Sequence, residues 1–201
     1  REGDPGIDTT ISAEDYKKFW KSSRERTASS FSGLHFGHWK AAAQSDYLSE
    51  CHAITTELAY ASGFSLPRWQ VGLSVMLEKV PGNSLAEKLR AILLMEADFN
   101  FANRLFFNVR MMQKAEQSGQ LPEELYGGRN GHEAQEVAVN RRITADIARQ
   151  SRMPIAIASV DAQSCYDRIS HSIASICCQR WGVGANLLTT MLTTIQQMQY
   201  H

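Results

Sequence analysis

The segment from Pro154 to Ile169 constrains this chain more than any other. An apolar run from Pro154 to Val160 carries an acidic residue, Asp161, to its end, and Tyr166 and Asp167 then open a helical pattern from Arg168 to Trp181. Locally that reads as strand, turn and helix, with a carboxylate at the turn. An apolar strand of this length is ordinarily buried in a sheet, so the pattern predicts Asp161 at a sheet rim, within reach of water, a metal ion or a phosphate. The plainer alternative is that Asp161 or Asp167 caps the helix that follows.

Charge narrows the partners. Lysine plus arginine equals aspartate plus glutamate, 21 each, so any contact with nucleic acid has to come from local basic clusters. The four cysteines (Cys51, Cys165, Cys177, Cys178) lack paired zinc-ligand spacing, and adjacent Cys177 and Cys178 suit neither a disulfide framework nor a metal cage. They read as reduced thiols in an intracellular protein of the cytoplasm or nucleus. No apolar stretch approaches the roughly 20 residues needed to span a bilayer, and no signal peptide is evident, so no membrane partner is expected. The chain begins with Arg1 and stops at His201 within a helical pattern (Leu187, Leu188, Met191, Leu192, Ile195, Met198), which reads as a piece of a longer protein.

In chain order, residues 1–11 are polar and expected to be loose. Ser12 starts a helix, with Asp15 placed for a reciprocal cap, and the helix runs through Phe19 and Trp20. His35 and His38 are three apart, but Gly37 intervenes and no third ligand is near, so they are not read as a metal site. Helical periodicity returns from about Trp39 to Ala61. Leu73, Val75 and Leu77 then alternate with polar or different-faced residues up to Lys79, a turn follows at Pro81 to Ser84, and alternation resumes from Leu89 to Leu94. Two such runs about a Pro-Gly turn predict a β-hairpin.

From Glu96 to Ser118, Phe99, Ala102, Leu105, Phe106, Val109 and Met112 form the stripe of an amphipathic helix. A glycine-rich loop from Leu125 to His132 leads into a second long helix, about Glu133 to Gln150. Its glycines fit neither a dinucleotide fingerprint nor a P-loop. This region gathers Arg129, Arg141, Arg142, Arg149 and Arg152, the local basic cluster hidden by the balanced total. The fold class is α/β (α+β), with more helix than strand.

Taken together, the hairpin, the glycine loop and the acidic turn resemble a reverse transcriptase of the kind encoded by non-LTR retrotransposons and group II introns. The resemblance covers roughly Trp69 to Ile176, and Ser32 to Lys40 looks like the segment preceding the fingers in some of these enzymes. The family's fingers hairpin bears a lysine and then an arginine before Pro-Ile or Ala-Ile-Leu. Here Leu77 to Lys79 and Lys88 to Leu94 match it. Leu125 to Glu133 is similar to the loop Q-x-G-F-R-x-G-R-S. The first catalytic segment of the palm, D-x-x-x-A-F-D, matches Asp161 to Asp167, with Cys165 for alanine and Tyr166 for phenylalanine.

The resemblance implies a partial right-hand polymerase fold: an N-terminal helical extension over 1–68, fingers over 69–153 (hairpin about 71–95, helices about 96–118 and 133–150), and the start of the palm over 154–201. It implies template-directed nucleotidyl transfer from dNTPs on two Mg2+ (or Mn2+) ions in the complete enzyme. The partners would be an RNA template, a DNA or RNA primer, and the remaining polymerase domains of a parent polyprotein. Asp161 would be catalytic and, with the Ala162 carbonyl, a metal ligand. Lys79 and Arg90 would grip the triphosphate, and Tyr166 would act as a gate against the ribose 2′-hydroxyl. Arg129, Arg141, Arg142 and Arg149 would touch template phosphates. The family's aromatic-x-Asp-Asp turn does not occur in these 201 residues, so this polypeptide alone is expected to be inactive. The alternative reading is a non-catalytic nucleic-acid-binding or protein-interaction module that kept the fold.

Overall fold

A computed structural model describes residues 6–26, 30–162 and 165–201, apart from the side chain of Asp167. Three helices come first: α1 (Ala13–Ser22), α2 (Phe36–Ala42) and α3 (Asp46–Ser62). α1 opens on the reciprocal cap legible in the sequence, with Ser12 Oγ accepting the Asp15 N–H and the Asp15 carboxylate accepting the Ser12 N–H. The periodic stretch from Trp39 to Ala61 is two helices rather than one, because the chain turns after Ala43 and Ser45 caps a new start at the Leu48 N–H. The His35 N–H donates to His38 Nδ1 at 3.0 Å, so the second histidine serves the start of α2.

The hairpin is β1 (Val71–Glu78) and β2 (Leu89–Leu94), antiparallel, with Leu73 opposite Leu94 and Leu77 opposite Arg90. Gly82, at φ +81°, makes the turn between them. A long helix follows in three parts: α4 (Ala97–Asn103), a π-helical stretch (Arg104–Arg110) and α5 (Met111–Gln117). After the glycine-rich loop come α6 (Ala134–Gln150), α7 (His171–Arg180) and α8 (Ala185–Gln196).

The chain's last residues depart from the helical pattern extrapolated to His201. α8 ends at Gln196, and β3 (Gln199–Tyr200) lies parallel to β1, giving a sheet of order β2-β1-β3 among the described residues. The His201 N–H donates to the Gly72 carbonyl at 3.0 Å, and the Ser74 N–H to the His201 carbonyl at 2.9 Å. A Cβ at Gly72 would lie 2.6 Å from Leu93 Cδ1, so any larger residue there would make the Leu93 side chain move.

One core joins the N-terminal helices to the long helix. Tyr16 and Trp20 of α1, Trp39 of α2, Tyr60 of α3 and Trp69 pack with Phe99, Phe101 and Phe106. Phe101 meets Tyr16, Phe19 and Trp20 at ring-centroid distances of 5.6, 5.0 and 6.1 Å. Each such aromatic removes about 150–250 Å² from water, so these rings dominate the energy of the fold.

The stretch 6–11, expected to be loose, is instead strapped down. Ile7 and Ile11 are buried, and Arg110 donates to the carbonyls of Asp8 (2.8 Å) and Thr10 (2.5 Å) and to the Asp15 carboxylate (3.1 Å). Lys114 reaches the Gly6 carbonyl at 2.9 Å, and the Ile7 N–H bonds Gly182. Polarity misled the expectation because the groups that hold this segment lie about a hundred positions away in sequence.

His52 sits between the aromatic rings, stacked on Tyr16 and edge-on to Trp39. Burial pushes its imidazole below the ordinary value, opposed by Asp98 and reinforced by Arg68. Folding therefore favours the neutral ring, and its contribution is present above about pH 6.5, where the unfolded imidazole is also neutral. That contribution is lost as pH falls through the lower folded value. His52→Phe should flatten the decline in urea midpoint below pH 6.5, and an unchanged slope between pH 7.5 and 5.5 would assign that decline to other groups.

Candidate nucleotide-contacting residues

Strand register decides what the hairpin presents. Leu77 faces Arg90, and the next pair outward is Lys79 with Lys88, joined by an N–H to carbonyl bond of 3.0 Å. Opposed residues in an antiparallel ladder share a face and alternate along each strand. Lys79, Lys88 and Arg90 thus emerge on one face at the hairpin's tip, continuing outward from Leu73, Val75, Leu77, Ile92 and Leu94. All three cations are exposed and none has an ion-pair partner among the described residues. Lys88 was not among the expected phosphate contacts, because only the register places it between the other two. Glu78 lies on the opposite face, its carboxylate accepting the Gly82 N–H at 2.7 Å.

The expected strand from Pro154 to Val160 does not form. Residues 153–162 have no regular secondary structure and all are exposed, Val160 to 93%. A strand needs a ladder partner, and the sheet here is filled by β2 and β3 on either side of β1 at its base. Asp161 consequently lies at no sheet rim. It makes no hydrogen bond or ion pair with Lys79 or Arg90, and Ala162 beside it is exposed too. Tyr166 opens a single 3-10 turn (Tyr166–Arg168) and is almost fully exposed, and α7 starts only at His171.

Metal fit can be judged from the donors. Asp161 and the Ala162 carbonyl are two adjacent oxygens on an exposed segment. Among the described residues no three His, Cys, Asp or Glu gather where they could hold an ion. These residues therefore do not by themselves fit a two-ion centre.

The basic cluster divides. Arg129 is spent within the chain: Nε donates to Glu116 Oε2 at 2.9 Å, and Nη1 to the carbonyls of Pro122 (3.0 Å) and Leu125 (3.1 Å). This hydrogen-bonded guanidinium holds the Glu116 carboxyl below the usual carboxylate range. Its task is to fasten the glycine-rich loop to α5. On α6, Arg142 and Arg149 both pair with Asp146, at 3.2 Å each, whereas Arg141 is exposed with no acidic partner among the described residues. The fastened loop leaves a cleft of about 650 Å³ against the π-helical stretch, lined in part by Arg104, Asn108, Met112, Gln113 and Asn130. Arg104 lies over the Phe19 ring and has no acidic partner among the described residues.

A buried polar centre also escaped the sequence reading. Glu96 and Asp98 are only 1% and 2% exposed. Arg68 donates to both, reaching Asp98 through two nitrogens, while Ser30 and Ser32 donate to Glu96 and Trp69 Nε1 to Asp98 at 3.0 Å. These ties join the loop before α2, the turn before β1 and the start of α4.

No family model matches the chain, and no curated protein matches it in sequence. The described residues hold no helix long and apolar enough to cross a membrane.

Proposed function

We propose that this chain is the fingers and opening palm segment of an RNA-directed DNA polymerase of the reverse transcriptase kind, inactive by itself. The observation that carries the reading is the hairpin tip, where Lys79, Lys88 and Arg90 share one exposed face with no ion-pair partner among the described residues. A triphosphate carries several negative charges at close spacing. A guanidinium beside two mobile ammonium groups suits it, the arginine binding two oxygens in a fork and the lysines acting as point charges. The order hairpin, long helix, glycine-rich loop, basic helix and acidic segment supports the same reading. Arg104 and Arg141, which have no acidic partner among the described residues, are then placed to meet a nucleic-acid backbone.

Fluorescent dNTP titrated against the chain should bind, and Lys79→Ala with Arg90→Ala should weaken binding at least tenfold without changing the far-ultraviolet spectrum. The same preparation should add no nucleotide to a primed RNA template. Unchanged dNTP affinity in the double variant sinks the triphosphate role, and extension well above a no-enzyme control sinks the expectation of inactivity.

One observation favours a second reading, a non-catalytic nucleic-acid-binding or interaction module. Asp161 stands exposed on a segment outside any sheet, with no gathered carboxylates. That reading predicts salt-sensitive binding of RNA with no preference for dNTP over pyrophosphate.

A further inference from the structure

α3 is built inside out. The buried residues of its core-facing side are mostly small or hydroxyl-bearing, Ser49, Ala53, Thr56 and Ala59, with Tyr60 the large one and His52 half-buried beside them. Ser49 and Thr56 are tolerated there because each hydroxyl donates back to a carbonyl of the preceding turn, Ser45 at 2.8 Å and His52 at 2.8 Å. Large apolar and aromatic residues lie on the opposite side: Tyr47 is 73% exposed, Ile54 56% and Leu58 66%. An ordinary surface helix buries such residues and leaves polar ones outside.

Their spacing is specific. Tyr47, Cys51, Ile54, Leu58 and Ala61 follow one another at steps of four, three, four and three, the alternation of a coiled-coil seam over two heptads. At 100° per residue this line lies diametrically across the helix from Ser49, Ala53, Thr56 and Tyr60. Phe64, just past the left-handed glycine cap at Gly63, is exposed as well and extends the apolar end.

Charge along the seam is one-sided. Glu50 and Glu57 flank it on one edge, and Thr55 and Ser62 occupy the other. α3 contains no lysine or arginine; Asp46 in its first turn is already paired with Lys17 of α1, and Glu57 accepts the Ile11 N–H at 2.7 Å while keeping its negative charge. A helix meeting this seam would set its own flanking residues against those two glutamates, so opposite charge is favoured there. A second copy of α3 brings only more acid.

We infer that the outward face of α3 is a docking seam for an amphipathic partner helix with apolar residues at heptad spacing and basic residues beside them. The seam belongs to the N-terminal helices and stands whether or not the polymerase reading does.

The probe is a fluorescein-labelled 21-residue peptide of three heptads, with leucine at both seam positions and lysine at both flanking positions. Its control has glutamate at the flanks. Anisotropy with the whole chain should show the lysine peptide binding at least tenfold more tightly than the glutamate peptide. Ile54→Asp with Leu58→Asp should remove binding while helicity and thermal midpoint stay as in the parent chain. If that variant loses structure, the milder pair Ile54→Ser and Leu58→Gln takes its place. Saturating lysine peptide should slow maleimide labelling of Cys51, read by mass spectrometry, and Glu50→Lys should narrow the preference between peptides. Equal binding of both peptides, binding indifferent to the seam substitutions, or Cys51 labelling at an unchanged rate overturns the inference. So does a self-associated chain that the seam substitutions convert to monomer, because the face would then belong to a second copy.

Discussion

Arg68→Ala should cost about 3–5 kcal/mol of folding stability, a large part of the roughly 5–15 kcal/mol that holds a domain folded. The guanidinium faces two carboxylates that water scarcely reaches, and it is the cation that bonds both. The hydroxyls of Ser30 and Ser32 and the indole N–H of Trp69 would remain, but neutral donors do not offset two buried negative charges. Arg68→Lys should recover only part of the loss, since one ammonium cannot reproduce the two-nitrogen grip on Asp98 while reaching Glu96. Adding Glu96→Gln and Asp98→Asn to the alanine variant should restore stability relative to Arg68→Ala alone, because the uncompensated charge disappears. Urea unfolding followed by tryptophan fluorescence reads all four. A loss under 1 kcal/mol for Arg68→Ala would mean that solvent or another cation reaches the pair.

What could be read in advance was local, and what could not was relational. The Ser12 cap is legible because its two partners lie three residues apart, and the hairpin because alternation and a Pro-Gly turn sit side by side. The run from Pro154 to Val160 has the composition of a strand, yet a strand exists only where another offers its N–H and carbonyl groups, and composition cannot name that partner. β3 is the converse case, two residues with no period to detect, made a strand by lying against Val71 and Gly72. Lys88 was overlooked for the same reason, since its place beside Lys79 is a fact of pairing. Arg110 holding the carbonyls of Asp8 and Thr10, and Arg68 holding the carboxylates of Glu96 and Asp98, are contacts of charged side chains that a linear reading assigns to solvent. α3 adds a different lesson. Its apolar residues repeat at helical spacing, which marks helix but not an inner face, because a stripe carries no label for the side that the core will take.

Phe101→Ala should cost about 3–5 kcal/mol and should do so in a single transition. The ring is fully buried at the junction between α1 and α4, in contact with Tyr16, Phe19 and Trp20. Removing it leaves a cavity that these large, mutually packed aromatics cannot easily collapse to fill. The consequence for folding is sharper than the magnitude. Were residues 1–68 a unit that folds apart from the hairpin and long helix, a lesion on α4 would spare the surroundings of Trp20 and Trp39 until higher denaturant. The packing argues otherwise. Tyr60 of α3 donates to Asn103 at 3.0 Å, its ring meets Trp69 and Phe106, and the strap from Gly6 to Ile11 is held by Arg110 and Lys114 from the end of the long helix. Tryptophan emission, which samples α1 and α2 through Trp20 and Trp39 and later elements through Trp69 and Trp181, and far-ultraviolet ellipticity, which samples every helix, should therefore shift to lower urea together and superimpose. Two separated midpoints in the variant would show the N-terminal helices folding independently of the hairpin and the long helix.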